Sequence, residues 1–272
     1  MVVLDVNGGP LDVVNAELEG TEDADLFLAS GSVLPAPSVF SLGLVAASLL
    51  TAELDQDGDD DLIASSFTEG AAIFLQDSAD ALIPKANPNL LRHISAVADL
   101  DQDNILDLVA AQDSLSWQKG NGDGSFQDET VISAGLCNGA SARDLDGDGA
   151  LDLVCASASA ELLVFLGDGL GGFSALATLP LPGIFAGPLR VDDLDQDGAL
   201  DLFASKGSLI VIGNGDGTFH SPQPLDTVTN LGNFSGLFFS LDSLNLSGDA
   251  TPEIVMLGSD GDAALWIYTQ RP

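Results

Sequence analysis

The sequence predicts an all-β chain, a six-bladed β-propeller of four-stranded antiparallel blades, and three observations predict it. An acidic decapeptide recurs six times along the 272 residues. A Gly-rich turn closed by Phe follows the well-formed copies, and the stretches between are short apolar runs of β type bounded by turn residues.

The decapeptide reads DLDQDNILDL from Asp99, DLDGDGALDL from Asp144 and DLDQDGALDL from Asp193, with ELDQDGDDDL from Glu53 as a near copy. NLSGDATPEI from Asn245 and ELEGTEDADL from Glu17 are weaker versions. Successive copies start 36 to 52 residues apart, a blade-sized period. The turn reads GNGDGSF from Gly120, GDGLGGF from Gly167 and GNGDGTF from Gly213, and Asn and Gly accept the positive φ that such hairpins need. One unit is therefore a strand ISAVADL, an acidic loop, strands LDLVAA and LSWQ, a Gly turn and a strand FQDETVIS, which makes one blade. Alternation is blurred because strands near the hub are covered on both faces, which favours continuous apolar runs.

The last unit offers SGLFFSLDSL, PEIVMLG and AALWIYTQ and ends at Pro272 without a fourth strand. The N-terminal VVLDV, within residues 1–6, is expected to supply the outer strand of that last blade and so protect its edge. A seven-bladed ring is the competing count. Residues 1–272 are read as a single domain, since closed all-β architectures reach this length as one unit.

Seven Lys and Arg face 42 Asp and Glu, a formal charge of −35. A mean hydropathy of +0.28 argues against disorder. Such charge repels nucleic acid and anionic membranes, so cations are the first partners expected, and neither nucleic acid nor membrane insertion is. No apolar run reaches the 18 residues of a membrane span, LGLVAASLL being too short, and the opening MVVLDVNGG lacks a basic, then apolar, leader pattern.

Within one decapeptide, acids at positions 1, 3, 5 and 9 and a backbone carbonyl at 7 surround one point with hard oxygens, the donor set of calcium. Zinc would want Cys or His, of which there are two each. An EF-hand needs Glu at position 12 and flanking helices; here the acid falls at 9 between β-type runs. The clearest set is Asp144, Asp146, Asp148 and Asp152 with the Ala150 carbonyl and Gly149 at the turn. Asp193, Asp195, Asp197 and Asp201 with Ala199 match it, as do Asp99, Asp101, Asp103 and Asp107 with Ile105, where Asn104 takes the turn. Glu53, Asp55, Asp57 and Asp61 with Asp59 form a fourth set. Asn245, Ser247, Asp249 and Glu253 with Thr251 form a weaker fifth, and Glu17, Glu19, Thr21 and Asp25 are least suited to close around an ion. About four or five calcium ions are expected.

The DLDGDGALDL and GNGDGTF motifs are similar to the FG-GAP/VCBS repeats of integrin alpha-chain propellers and of many secreted bacterial proteins. The resemblance extends over essentially the whole chain, with departures at the first and last units. It implies calcium in the loop joining the first two strands of each blade, at the positions named above. Most members are extracellular adhesion, recognition or scaffold modules, and a minority accompany carbohydrate-active enzymes.

The reading is thus a calcium-binding module, extracellular or at the cell surface, that recognises proteins or glycans or assembles structurally, without catalysis. The alternatives are a calcium-dependent polysaccharide lyase or hydrolase, or a lectin. An enzyme would need a cationic group near its substrate, and a cluster of Arg143, Arg190 and His93 would supply one. Trp117, Trp266 and Tyr268 fall on predicted third strands, in a sugar groove or in the core. His93 and His220 lie in no catalytic motif. Cys137 and Cys155 flank the Asp144 loop, either as a disulfide or as two buried thiols.

Overall fold

Runs such as LDLVCAS become strands because their apolar side chains find cover on both faces, and the Asp- and Gly-rich segments between them become the turns. The computed structural model describes residues 2–4, 12–16, 22–27, 38–76, 81–87, 89–181, 189–194, 197–204, 209–224, 237–244, 253–259 and 263–269. Among these no helix occurs, and the chain divides into two compact units, Met1–Ala134 and Gly135–Pro272.

The first unit holds three antiparallel sheets, each ordered as in sequence. They are β1 (Val2–Leu4), β2 (Asp12–Ala16), β3 (Asp23–Phe27) and β4 (Ser38–Ser41); β5 (Ser48–Ala52), β6 (Asp61–Ser65), β7 (Ala71–Gln76) and β8 (Leu82–Lys85); and β9 (Ile94–Ala98), β10 (Asp107–Ala111), β11 (Ser114–Gln118) and β12 (Thr130–Ala134). The second unit begins with β13 (Cys137–Arg143), β14 (Asp152–Ser157), β15 (Glu161–Gly167) and β16 (Phe173–Ala175), with β17 (Leu179–Pro180) also on β15. Next come β18 (Leu189–Asp192), β19 (Asp201–Ala204), β20 (Leu209–Val211) and β21 (Gln223–Pro224), then β22 (Leu237–Leu244), β23 (Glu253–Ser259) and β24 (Ala263–Thr269). The described residues thus form six meandering sheets, one for each decapeptide.

The N-terminal strand departs from expectation. β1 pairs with β2, Val2 opposite Val14 and Leu4 opposite Asp12, so it belongs to the first sheet and is not the outer strand of the last. Asn7, Gly8, Gly9 and Pro10 stand between the two strands in sequence, and a local hairpin closes a far shorter loop than a pairing with the other end of the chain. As a result the first acidic segment follows the second strand of its sheet, whereas in the other five sheets it follows the first.

The second strand of a sheet is the most deeply set: every residue of β6, β10 and β14 is buried. β6 shows why. Leu62 and Ala64 pack with Leu42, Leu44 and Phe74 on one face, while Ile63 packs on the other with Leu54, Ile73, Ile94 and Leu108, so the sheet is sandwiched between two apolar clusters. In the second unit Val154, Ala156, Leu162 and Val164 meet Val191, Leu202, Leu209 and Val211 in a third cluster between its first two sheets.

An antiparallel meander puts the connection between its first and second strands and that between its third and fourth at the same end. Acidic loop and Gly turn are therefore neighbours. The contact is tight: a Cβ on Gly120, Gly167 or Gly213 would lie 2.3, 2.2 or 2.2 Å from the carbonyl oxygen of Leu106, Leu151 or Leu200. The turns also clasp a neighbouring sheet, for Gly124 donates its N–H to the Leu54 carbonyl at 3.0 Å and Gly217 donates to Leu145 at 3.2 Å.

Gly167→Ala, which drives a methyl into the backbone of Leu151, is expected to cost about 2–4 kcal/mol. Gly147→Ala, with φ 76° but open space around it, should cost only about 1–2 kcal/mol. Urea midpoints of the two variants in chelator-containing buffer give the order, and equal losses would rule out the backbone clash.

Candidate metal centre

The acidic loops are built inward from their own backbone. The carboxylate at position 1 collects N–H groups from the far side of its loop. Asp144 accepts from Gly147 and Gly149 at 2.7 and 3.0 Å, Asp99 from Asp103 and Asn104 at 3.1 and 2.9 Å, and Asp193 from Gly198 at 3.1 Å. Glu53, one methylene longer, reaches Asp55, Gln56 and Gly58 in the same way. The carboxylate at position 5 accepts the N–H of position 7: Asp57 from Asp59, Asp103 from Ile105, Asp148 from Ala150 and Asp197 from Ala199, at 2.7 to 3.0 Å. This curl requires left-handed residues at position 4 as well as at 6. Gly147, Gly149, Gly58 and Gly198 supply it cheaply, whereas Gln56, Gln102 and Asn104 adopt φ of 66°, 59° and 65°.

Position 9 has a second task. Asp61, Asp107, Asp152 and Asp201 are all fully buried, and each spends both oxygens on backbone donors. One oxygen takes the N–H of the leucine at position 2 (Leu54, Leu100, Leu145, Leu194) at 2.8–2.9 Å. The other takes the N–H at the end of the third strand (Gln76, Gly120, Gly167, Gly213) at 2.8–2.9 Å. The two sequence signatures of the repeat are thus the two ends of one hydrogen-bonded bridge.

Among the described residues three loops bring acids together: Glu53, Asp55 and Asp57; Asp99, Asp101 and Asp107; and Asp144, Asp146 and Asp152 each offer oxygens within 4.8 Å of one another. Asp61, Asp103 and Asp148 stand outside these groups. Asp195, Asn245, Ser247, Asp249, Thr251, Glu17, Glu19 and Thr21 lie outside the described residues, and Glu253 and Asp25 are described only as strand backbone. The donor set fits a hard cation. Every donor is oxygen, and Asp55, Asp101 and Asp193 each leave a buried Oδ1 with no hydrogen-bond partner, an arrangement that costs free energy without a positive charge to face.

Burial is the main cause that pushes the Asp61 and Asp107 carboxyls up to about 6; their backbone donors oppose it, and Asp55 and Glu53, or Asp101 and Asp103, reinforce it. Asp152 is raised for the same reasons, and Asp55 by burial and by Asp57. One cation does enter a loop. Lys119 donates to Oδ2 of Asp101 and to Oδ2 of Asp103, the latter at 2.7 Å. This contact holds the Asp103 carboxyl below the usual range and raises the lysine. Sequence reasoning missed Lys119, although it immediately precedes the Gly120 turn.

Cys137 and Cys155 form a disulfide between β13 and β14, with a Cα separation of 6.0 Å, where a bulge displaces Cys137 from direct register. Trp117 is a buried core residue with its Nε1 unpartnered, and the side chains of Trp266 and Tyr268 lie outside the described residues. His93 stacks on Phe67 at 4.5 Å and pairs its Nδ1 with the Ala111 carbonyl at 3.0 Å, while His220 is exposed.

Residues 144–204, from the Asp144 loop to the end of β19, match the model of the FG-GAP-like repeat. No curated protein matches the chain in sequence. Among solved structures it resembles a lectin of Agrocybe aegerita specific for non-reducing terminal N-acetylglucosamine, at 19% identity over 98% of this chain and 79% of that one, with a TM-score of 0.63. It also resembles BBS1N in complex with ARL6DN, at 11% identity over 99% and 81% and a TM-score of 0.63, and Sqt1 of Saccharomyces cerevisiae, at 12% over 94% and 68% and 0.59. The fold is therefore all-β and of the β-propeller type. Within it, the stretch around the Asp144 loop is an FG-GAP-like repeat.

Asp152→Ala strands two buried N–H groups and is expected to cost roughly 2–5 kcal/mol already in chelator. Asp146→Ala should cost little in chelator and show itself only with calcium present. Denaturant titrations in the two buffers separate the bridging acid from the ion-facing one.

The raised carboxyls also fix a sign. A folded-state pKa near 6 at Asp61 and Asp107, against about 3.9 unfolded, contributes stability that is fully present below about pH 4 and lost as pH rises through about 6. Melting temperatures in chelator should accordingly fall from about pH 4.5 to pH 7, and calcium should flatten the slope. A rise in chelator over that window would contradict the assignment.

Proposed function

We propose that the chain is a six-bladed, ring-closed propeller braced by about four or five calcium ions. It works outside the cell as a non-catalytic module that recognises protein or glycan ligands, supports adhesion or serves structural assembly. The observation that carries the calcium reading is the set of buried, unpartnered carboxylate oxygens at Asp55, Asp101 and Asp193, each in a loop that already curls around its acids. The blade count rests on six sheets and six acidic segments.

Asp144, Asp146, Asp148 and Asp152 would hold the ion in the fourth segment, and the corresponding acids from Glu53, Asp99 and Asp193 in theirs. When bound, calcium supplies positive charge to these loops, of which the Asp99 loop already holds the Lys119 ammonium. The chain's own part is to pre-curl each loop through its backbone donors and to anchor position 9 in the core, so that ion binding to the folded state alone stabilises it. Open, all-oxygen loops of this kind suit extracellular calcium levels, and the Cys137–Cys155 disulfide suits an oxidising compartment.

Binding is favoured over catalysis because the basic residues are few and at least two serve acids: Lys85 contacts Asp123 at 3.5 Å, and Lys119 serves Asp101 and Asp103. Glycan and protein ligands are both supported by analogy of fold, one neighbour being a lectin and another a propeller in complex with a protein partner.

The test is a melting curve in chelator and after addition of calcium, magnesium or zinc, together with metal analysis of the purified protein. A stabilisation specific to calcium, with about four or five ions per chain, is the expected result. No metal and no shift would overturn the calcium reading.

A further inference from the structure

We infer that Lys119 is the resident cation of the Asp99–Asp107 loop, closing it without metal and competing with calcium for it, so that this loop binds the ion more weakly than its neighbours. The inference rests on the calcium reading for the other loops and goes beyond it, because the Asp99 loop has the same four acids as the Asp144 loop.

The position of Lys119 is defined by the bridge to the position-9 aspartate. In each sheet one backbone N–H at the end of the third strand meets that carboxylate: Gln76, Gly120, Gly167 and Gly213. The residues just before these are Leu75, Lys119, Leu166 and Ile212. Three are aliphatic and the fourth carries an ammonium group, so the lysine is a feature of this one loop. Its backbone is pinned on both sides, since Gly120 donates to Asp107 at 2.9 Å and the Lys119 carbonyl accepts from Gln127 at 2.8 Å. The side chain is 30% exposed and runs to Asp101, itself 11% exposed, and to Asp103.

What the ammonium does there follows from charge and valence. It takes one oxygen from each of the acids at positions 3 and 5, two of the four carboxylates a calcium ion would draw on. A divalent ion entering the loop would have to displace the lysine or sit beside it, and like charges held at contact distance oppose binding strongly where water is partly excluded. The Asp144 and Glu53 loops have no such competitor, because Leu166 and Leu75 stand in its place. The chain therefore has two ways of neutralising one kind of acidic loop: an ion taken from solution, and a side chain always present.

The experiment is equilibrium dialysis of the full chain against calcium alone, with wild type, Lys119→Leu and Lys85→Leu. Leucine is the residue found at the same place in two other sheets, and Lys85, paired with Asp123, controls for the loss of one positive charge. The expected result is one additional calcium per chain in K119L, or one site tightened tenfold or more, with K85L like wild type. In chelator K119L should melt below wild type and gain more on addition of calcium, and Asp101→Asn in the K119L background should abolish the gain. Should K119L fail to fold, Lys119→Gln keeps the polar stem and must show the same gain. Calcium bound equally by wild type and K119L, or a gain in K85L as large as in K119L, would overturn the inference. Calcium bound by none of the proteins would overturn the reading on which it rests.

Discussion

A buried carboxylate that accepts backbone hydrogen bonds from two directions is the constraint on which the repeat depends. Asp61, Asp107, Asp152 and Asp201 open the second strands of their sheets, are fully buried, and point one oxygen at the loop and the other at the end of the third strand. Desolvating such a group is expensive unless its lone pairs are used. Using them this way joins the loop and two strands at a single atom group. The cost remaining after those hydrogen bonds is visible in the raised carboxyls of Asp61 and Asp107.

Much of the local architecture follows from that bridge. In three sheets the end of the third strand presents its N–H from so close to the position-8 carbonyl that only a residue without Cβ fits at Gly120, Gly167 and Gly213, whereas Gln76 makes the same bond to Asp61 with a side chain in place. The chain then turns back through residues with positive φ, and the same turn donates from Gly124 to Leu54, or from Gly217 to Leu145, in a neighbouring sheet of the same unit. Those leucines sit at position 2, the residue whose own N–H is held by the buried aspartate. Aspartate, glycine and leucine thus form one chain of contacts running from the core of one sheet to the turn of another. Apolar clusters on both faces of β6 add the bulk of the burial without setting the register.

The strands and loops of the middle four sheets were legible in the sequence because each obeys a local rule: an apolar run, an acidic loop, a run, a Gly turn. The N-terminal strand was not, because VVLDV carries no mark of its partner, and the choice between β2 and a distant edge turns on loop length rather than on composition. The position-9 acid was read as an ion ligand; Asp107 and Asp152 do lie within the acid groups, and what the one-letter string does not announce is that each also accepts from two backbone amides. Lys119 escaped for a similar reason: adjacent to a Gly turn it reads as surface charge, and only the antiparallel meander brings that turn beside the acids of the loop before it. The disulfide was left open by sequence spacing alone, since the bulge between Cys137 and Ala140 decides whether the two Cβ vectors meet.

The charge of −35 has more than one structural meaning. Some acids face the interior of a loop and need a cation, such as Asp55 and Asp193 with their unpartnered oxygens. Some bridge backbone amides in the core. Others close Gly turns: Asp123 and Asp216 accept the hydroxyl and then the N–H of Ser125 and Thr218, and Asp168 accepts the N–H groups of Leu170 and Gly172, contacts that hold their carboxyls below the usual range. The last kind is content as an anion in water, the second is satisfied by its amides although Asp107 and Asp152 also lie in the acid groups of their loops, and the first calls for a positive charge from elsewhere. A chain that draws on one residue type for all three tasks accumulates far more negative charge than ions in the first kind of loop would offset. Part of the excess belongs to the turns, where backbone donors already balance it locally, and so net charge by itself does not count the ions the fold requires.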